Sequence, residues 1–359
     1  MSKKSDSGEL RSASALPNGD PENPLLRETI SFLALSLLDG VSYGILRKIF
    51  LSGLSFEQIL KIESSTEFLE YLRKAGYRSS SQQVEGWPSS RDELWSNAQV
   101  VHRKLLANDV RLIHSDESDF PQRLRDIPDP PGWLFVQGNV SALHQPSLAL
   151  VGTRDPSEDG IFLANYVGAL LGYFDDAVTV SGLAAGIDSI IHMKSIRFCV
   201  PTIAFLGTGI LYDYPIKSNG SLRHRICDDG GAVVSEYLPF QKYSKQNFVH
   251  RNRLQAGLAN VVIPIEWREQ SGTAHTVRFA HKFKRPIICL RLPDWSEHRE
   301  LNVGKKMGAS IFTIPGKEME LISTIRLHLK KKVKHPTTPS KSNTEQQLML
   351  GFELKPKNP

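Results

Sequence analysis

The chain has 359 residues, 40% of them hydrophobic, and a formal net charge of +6. That is enough for one sizeable core plus a smaller satellite domain, and it excludes fibrous and wholly disordered classes. No apolar run approaches the roughly 20 residues that span a bilayer. The polar start MSKKSDSGEL lacks the apolar centre of a signal peptide, so a cytoplasmic protein with no membrane partner is expected.

The location of the charge matters more than its sum. From Lys330 onward, seven lysines and two glutamates hold five of the six net positive charges. The basic balance is therefore a tail property and does not argue for a nucleic-acid-binding core. Cys199, Cys227 and Cys289 are odd in number and widely spaced, with no CxxC pair. Neither a disulfide framework nor a metal site is expected, and Cys199 and Cys289 read as core residues within apolar runs.

Residues 1–24, rich in Ser, Lys, Asn and Pro, predict a disordered lead-in. Residues 25–107 predict a small helical domain of the SAM or helix-hairpin-helix kind. Apolar residues from Ile30 to Leu38 stop at Asp39-Gly40, helical spacing resumes over Val41 to Leu51, and Ser55 with Gln58 forms a capping-box signature. Residues 108–329 predict an α/β domain. Pro128, Pro130 and Pro131 break the lead-in, and Trp133 to Val136 reads as a short strand. Further strands are predicted at Leu148–Val151, Ala177–Ser181, Thr202–Leu206, Ala232–Ser235, Val261–Ile265 and Pro286–Leu290, with helices between most of them. This alternation gives a doubly wound, mostly parallel Rossmann-like sheet. Such sheets bind ligands outside the carboxyl ends of their strands. Residues 330–359 read as a basic, disordered tail.

Five strand-end loops carry the chemistry. The first is Gly152-Thr153-Arg154, where a glycine lets the backbone approach an anion, a hydroxyl is added and a guanidinium offers a bidentate fork. The second, SGLAAGID, places Ser181, Gly182 and Ala184 at a helix N-terminus whose open N–H groups and dipole favour negative charge. Asp188 is expected to brace this turn, and His192 to pack rather than to catalyse. The third holds Gly207 and Gly209, then Tyr214, Lys217 and Asn219, suited to stacking bases while neutralising phosphates. Its GxG does not continue as GxGxxG, which argues against a dinucleotide cofactor. The fourth, Arg251-Asn252-Arg253, is expected at a helix start, where it offers more phosphate contacts. The fifth is Ser271-Gly272-Thr273, again a glycine turn with hydroxyls before a helix. No cofactor and no catalytic residue are expected.

Read in order, LALVGTRDPSEDG, VTVSGLAAGIDSIIH, TIAFLGTGILYDYPIKSN, GAVVSEY, FVHRNRLQAGLANVV and SGTAHTVRFA resemble the DprA/Smf family of DNA-processing proteins, from about Arg111 to Ala309. The resemblance implies a homodimeric, non-enzymatic binder of single-stranded DNA. It protects strands during natural transformation or recombination and helps load the RecA recombinase. It also implies phosphate-holding roles for Gly152, Thr153, Arg154, Ser181, Gly182, Lys217, Asn219, Arg251, Asn252 and Arg253. The chain departs from the family pattern at Pro264, Trp267 and Pro293-Asp294-Trp295, and the winged helix that ends many members is not expected in about thirty tail residues.

Two alternatives share the fold: a nucleotide-binding sensor, and a nucleotide phosphoribohydrolase. The hydrolases carry a Gly-Thr-x-x-Glu motif, whereas here Gly272-Thr273-Ala274-His275 ends in Thr276, which cannot serve as an acid–base group near neutral pH. In the tail, Gln347, Leu348, Leu350 and Phe352 resemble peptides that dock on the bacterial sliding clamp, a further candidate partner.

Overall fold

The computed structural model describes residues 23–330, apart from 175, 213–218 and 296–298. The chain divides into two compact units, residues 1–104 and 105 onward. The first contains helices α1 (Pro24–Leu37), α2 (Tyr43–Leu51), α3 (Phe56–Leu60), α4 (Ser65–Lys74) and α5 (Gln82–Glu85), with α6 (Arg91–Ala107) leading into the second. Local chemistry sets the helix ends. Asn23 caps α1 by accepting from Leu25 N at 3.0 Å, with Pro24 at the first position. The capping box of Ser55 and Gln58 forms in both directions on α3. Phe32, Leu33, Leu46, Ile49, Phe68 and Leu72 are all fully buried in this unit.

Among the described residues, the second unit contains nine strands: β1 (Val110–His114), β2 (Trp133–Gly138), β3 (Ser147–Gly152), β4 (Val178–Ser181), β5 (Thr202–Phe205), β6 (Ala232–Ser235), β7 (Val261–Ile265), β8 (Ile288–Arg291) and β9 (Ser310–Thr313). Seven of them form one sheet in the order β1-β2-β6-β5-β4-β3-β7. β3 to β7 run parallel, while β1 and β2 add an antiparallel edge. The strand expected at 286–290 does not join this sheet as a full member. β8 pairs with β9, and a single bridge from Ile287 to Val262 ties the pair to β7.

The helices are α7 (Gln122–Arg125), α8 (Glu158–Ala169), α9 (Ile187–Arg197), α10 (Asn219–Asp228), α11 (Lys245–Leu258), α12 (Gly272–Lys282), α13 (Arg299–Lys306) and α14 (Glu318–Lys330). Side chains alternate across β3. Leu148 and Leu150 pack with Leu163, Val167 and Ile191 of α8 and α9, while Ala149 and Val151 pack with Leu254, Leu258 and Val277 of α11 and α12. Both faces of the sheet are thus covered, which gives the doubly wound arrangement.

One cysteine expectation is corrected. Cys289 is buried, but Cys199 is exposed: it takes the left-handed exit from α9 with φ +55°.

Candidate functional site

From β3 the chain steps through β4, β5 and β6 in one direction, whereas β7 lies on the other side of β3. The strand order therefore reverses between β3 and β7, and a crevice is expected beyond their carboxyl ends. A cleft of about 410 Å³ lies there. Its walls come from the β3 loop (Gly152, Thr153, Arg154), the β4 loop (Ala184), the start of α9 (Asp188), one face of α11, and the start of α12 (Ser271, Gly272, Thr273, Thr276).

The β3 loop is tightly held. A side chain at Gly152 would fall 2.2 Å from the Ile265 carbonyl and 2.5 Å from Ile187. Thr153 N donates to the Glu266 carbonyl at 3.0 Å, and the Thr153 carbonyl accepts from Ile187 N at 3.1 Å. The Thr153 hydroxyl turns back on its own loop, accepting from Asp155 N at 3.3 Å. Arg154 is exposed, with its guanidinium 4.9 Å from the centroid of the Phe248 ring, a cation–π distance.

Beneath the cleft, the second loop acts as a support. Gly182 N donates to Asp188 Oδ2 at 3.1 Å, and the Ser181 hydroxyl donates to the Leu150 carbonyl at 2.7 Å. A side chain at Gly182 would meet Arg251 Nη1 at 2.1 Å, so glycine is what lets that guanidinium lie against the backbone. Burial pushes the Asp188 carboxyl up, against the attraction of Arg251 and hydrogen bonds around it. Asp188 thus braces the turn, as expected. His192 is fully buried, its Nδ1 2.7 Å from the Thr202 hydroxyl and its Nε2 accepting from Leu183 N at 3.3 Å. Burial, with Arg251 nearby, holds it at a pKa of about 3. It is a neutral packing residue.

The fourth segment departs from expectation. Residues 251–253 do not open a helix but lie in the middle of α11, because Ser244 caps it earlier by accepting from Asn247 N at 3.0 Å. They therefore act through side chains alone. Arg251 is 3% exposed, lines the cleft and donates to the Phe205 carbonyl. Its Nε is buried with no hydrogen-bond partner among the described residues. Burial lowers its pKa to about 10, so it remains a cation at neutral pH. Asn252 donates to the Gly272 carbonyl at 2.9 Å and so ties α11 to the α12 turn.

Arg253 faces the other way. It is 1% exposed, donates to Glu236 through Nη1 at 2.5 Å and Nη2 at 2.6 Å, and through Nε to the Asp129 carbonyl at 3.0 Å. These partners remove it from the groups open to a ligand. Burial would raise the Glu236 carboxyl, but Arg253 and His250 outweigh it and hold the pKa at about 2.

Gly207 and Gly209 allow close packing. A side chain at Gly207 would lie 2.5 Å from Phe248 Cδ1, and one at Gly209 would lie 2.1 Å from the Leu238 carbonyl. Ser271 caps α12, its hydroxyl accepting from Ala274 N at 3.4 Å. Tyr214 and Lys217 lie outside the described residues, and Asn219 is the first residue of α10.

Sequence reasoning passed over Lys245, Phe248, Val249 and Gln255, all of which line the cleft. Their signal was present. With Asn252 they recur at positions 245, 248, 249, 252 and 255, one face of a helix.

The comparisons agree with this architecture. The family model described as DNA recombination-mediator protein A matches residues 111–317, just over half of the chain. Protein Smf of Synechocystis sp. is 36% identical over 199 residues, covering 54% of this chain and 49% of that protein. DNA processing protein DprA of Streptococcus pneumoniae is 37% identical over 171 residues, covering 48% of this chain and 59% of that protein. The matches thus span about half the length of these curated relatives. The X-ray structure of DprA from Streptococcus pneumoniae superposes with a TM-score of 0.58 and 28% identity, over 80% of this chain and 94% of that one. A DNA processing protein A from Helicobacter pylori, described for its single-stranded DNA binding mode, superposes with a TM-score of 0.52 and 26% identity, over 61% of this chain and 96% of that one. Among the described residues no helix is long and apolar enough to cross a membrane. By the match over residues 111–317, carried on a doubly wound sheet with a cleft at its switch point, the chain belongs to the DNA recombination-mediator protein A family, the DprA/Smf DNA-processing proteins.

Proposed function

We propose that this protein binds single-stranded DNA in the cleft without altering it chemically, and does so in DNA recombination or transformation. One observation carries the proposal: Arg154, Lys245 and Arg251, from two separate elements, converge on the switch-point cleft with the Phe248 ring among them. Cations answer the phosphates, and an aromatic ring offers a sequence-tolerant surface to a base. The Helicobacter pylori relative, described as a single-stranded DNA binder, supports the same use of the fold. Hydrolysis of a nucleotide is less well served. Thr276 occupies the position of the hydrolases' glutamate and donates to Gln255 Oε1 at 3.5 Å, while Asp188 is committed to Gly182 N.

Fluorescence anisotropy with oligo(dT) and a duplex of equal length tests the proposal. Binding should favour the single strand and weaken with salt, with log K falling by about 0.7 per released phosphate contact for each decade. Arg154→Ala should weaken binding and reduce that slope by about 0.7. An affinity and slope equal to wild type would remove the central claim. Free base released from nucleoside monophosphates would favour the hydrolase instead.

Family resemblance extends the proposal to a homodimer that hands its strand to RecA. Separately, the likeness of Gln347, Leu348, Leu350 and Phe352, outside the described residues, to clamp-docking peptides supports the sliding clamp as a further partner. Clamp capture that persists after deletion of residues 345–359 would rule that peptide out.

A further inference from the structure

The segment between β6 and α11, LPFQKYS over 238–244, carries two large half-exposed rings: Phe240 is 47% exposed and Tyr243 53% exposed. Exposed aromatics of this size are costly to leave on a surface and mark interaction sites when they cluster. These two lie in the loop that leads into the cleft. The Tyr243 ring centroid is 6.3 Å from that of Phe248, whose ring in turn sits beneath Arg154. Lys242 and Lys245, both exposed, alternate with the rings along the chain.

The loop is also pre-shaped. Gly209 N donates to the Gln241 carbonyl and Leu211 N to the Pro239 carbonyl, both at 2.8 Å, while Gln241 N closes a turn on the Leu238 carbonyl at 2.9 Å. Only glycine at 209 allows this approach, since a side chain there would lie within 2.6 Å of three backbone atoms of the loop. A surface fixed in this way loses little entropy when it binds.

We propose that Tyr243 and Phe240 form a base-stacking edge that carries single-stranded DNA out of the cleft, with Lys242 answering a phosphate beside them. This rests on the cleft being the DNA site and adds where the strand goes next. Alternating cations and half-exposed rings match a chain of alternating phosphates and unstacked bases. A duplex, with its bases already stacked, would gain only the lysine.

The test is length-dependent binding. Wild type, Tyr243→Ala, Tyr243→Phe and Phe240→Ser are titrated with oligo(dT) of about 5 and about 15 nucleotides, sizes that bracket common single-strand footprints. Tyr243→Ala should lose roughly 5- to 150-fold in affinity for the longer strand, the equivalent of one base stack, and little for the shorter one. Tyr243→Phe should keep the wild-type affinity, and a long strand abasic outside its central nucleotides should be insensitive to Tyr243→Ala. Equal binding by Tyr243→Ala and wild type at both lengths overturns the inference, as does an equal loss at both lengths. A change of oligomeric state in Tyr243→Ala also overturns it, because the rings would then lie between copies of the chain. Failure here leaves the Arg154→Ala effect intact, whereas failure of the cleft assignment abolishes that effect at both lengths.

Discussion

Arg253→Met isolates the contact that holds α11 in place. Arg253 and Glu236 are each about 1% exposed and form a two-pronged ion pair. Removing the guanidinium leaves a buried carboxylate that keeps the His250 ring, Nδ1 3.3 Å away, but no guanidinium to face it. Breaking one side of a buried pair costs about 3–5 kcal/mol. The depression of the Glu236 carboxyl, to which His250 also contributes, is of similar size. Glu236 is held at about 2 against an ordinary 4.5, and at about 1.36 kcal/mol per pH unit that gap is worth roughly 3 kcal/mol. The urea midpoint at pH 7 should therefore fall by about 1 M or more, given slopes of about 1–3 kcal/mol/M. The pH dependence has a definite sign. A carboxyl whose folded pKa is depressed stabilises above its unfolded pKa, and that stability is lost as pH falls from about 4.5 toward about 2. The gap between wild type and variant should therefore shrink on acidification. A midpoint unchanged at pH 7, or a gap that widens in acid, would refute the reasoning. Adding Glu236→Gln should recover part of the loss, because no charge is then left buried alone.

Gly182→Ala places a methyl 2.1 Å from Arg251 Nη1 and 2.7 Å from Asp188 Oδ2. Overpacking of this kind costs about 1–3 kcal/mol, so a lowered Tm together with weaker oligo(dT) binding is expected, and wild-type values for both would contradict the support role of the second loop. His192, held at a pKa of about 3 by burial, should show imidazole NMR signals that do not titrate between pH 5 and 8. Because its folded pKa is depressed, its contribution to stability is full above about 6.5 and declines as pH falls toward about 3. A titration midpoint near 6.5 in the folded protein would show that the ring is solvated.

The sequence by itself determined the alternation of strand and helix, the capping box of α3, and the glycine turns that end the strands. These rest on local periodicity and on backbone freedom at single residues, which short windows of sequence record. It also indicated Asp188 as a brace and His192 as a packing residue. The tertiary structure decided what such windows do not contain. It set the reversal of strand order between β3 and β7 that places the cleft. It brought the Phe248 ring of α11 against Arg154, a contact across 94 residues of chain, and Lys245 to the same cleft. It also separated Arg251 from Arg253. Two residues apart on a helix, they point about 200° apart, one to the cleft and one to Glu236. Similar arginines thus acquired different roles because helix geometry, and not residue type, decides which neighbour each one meets.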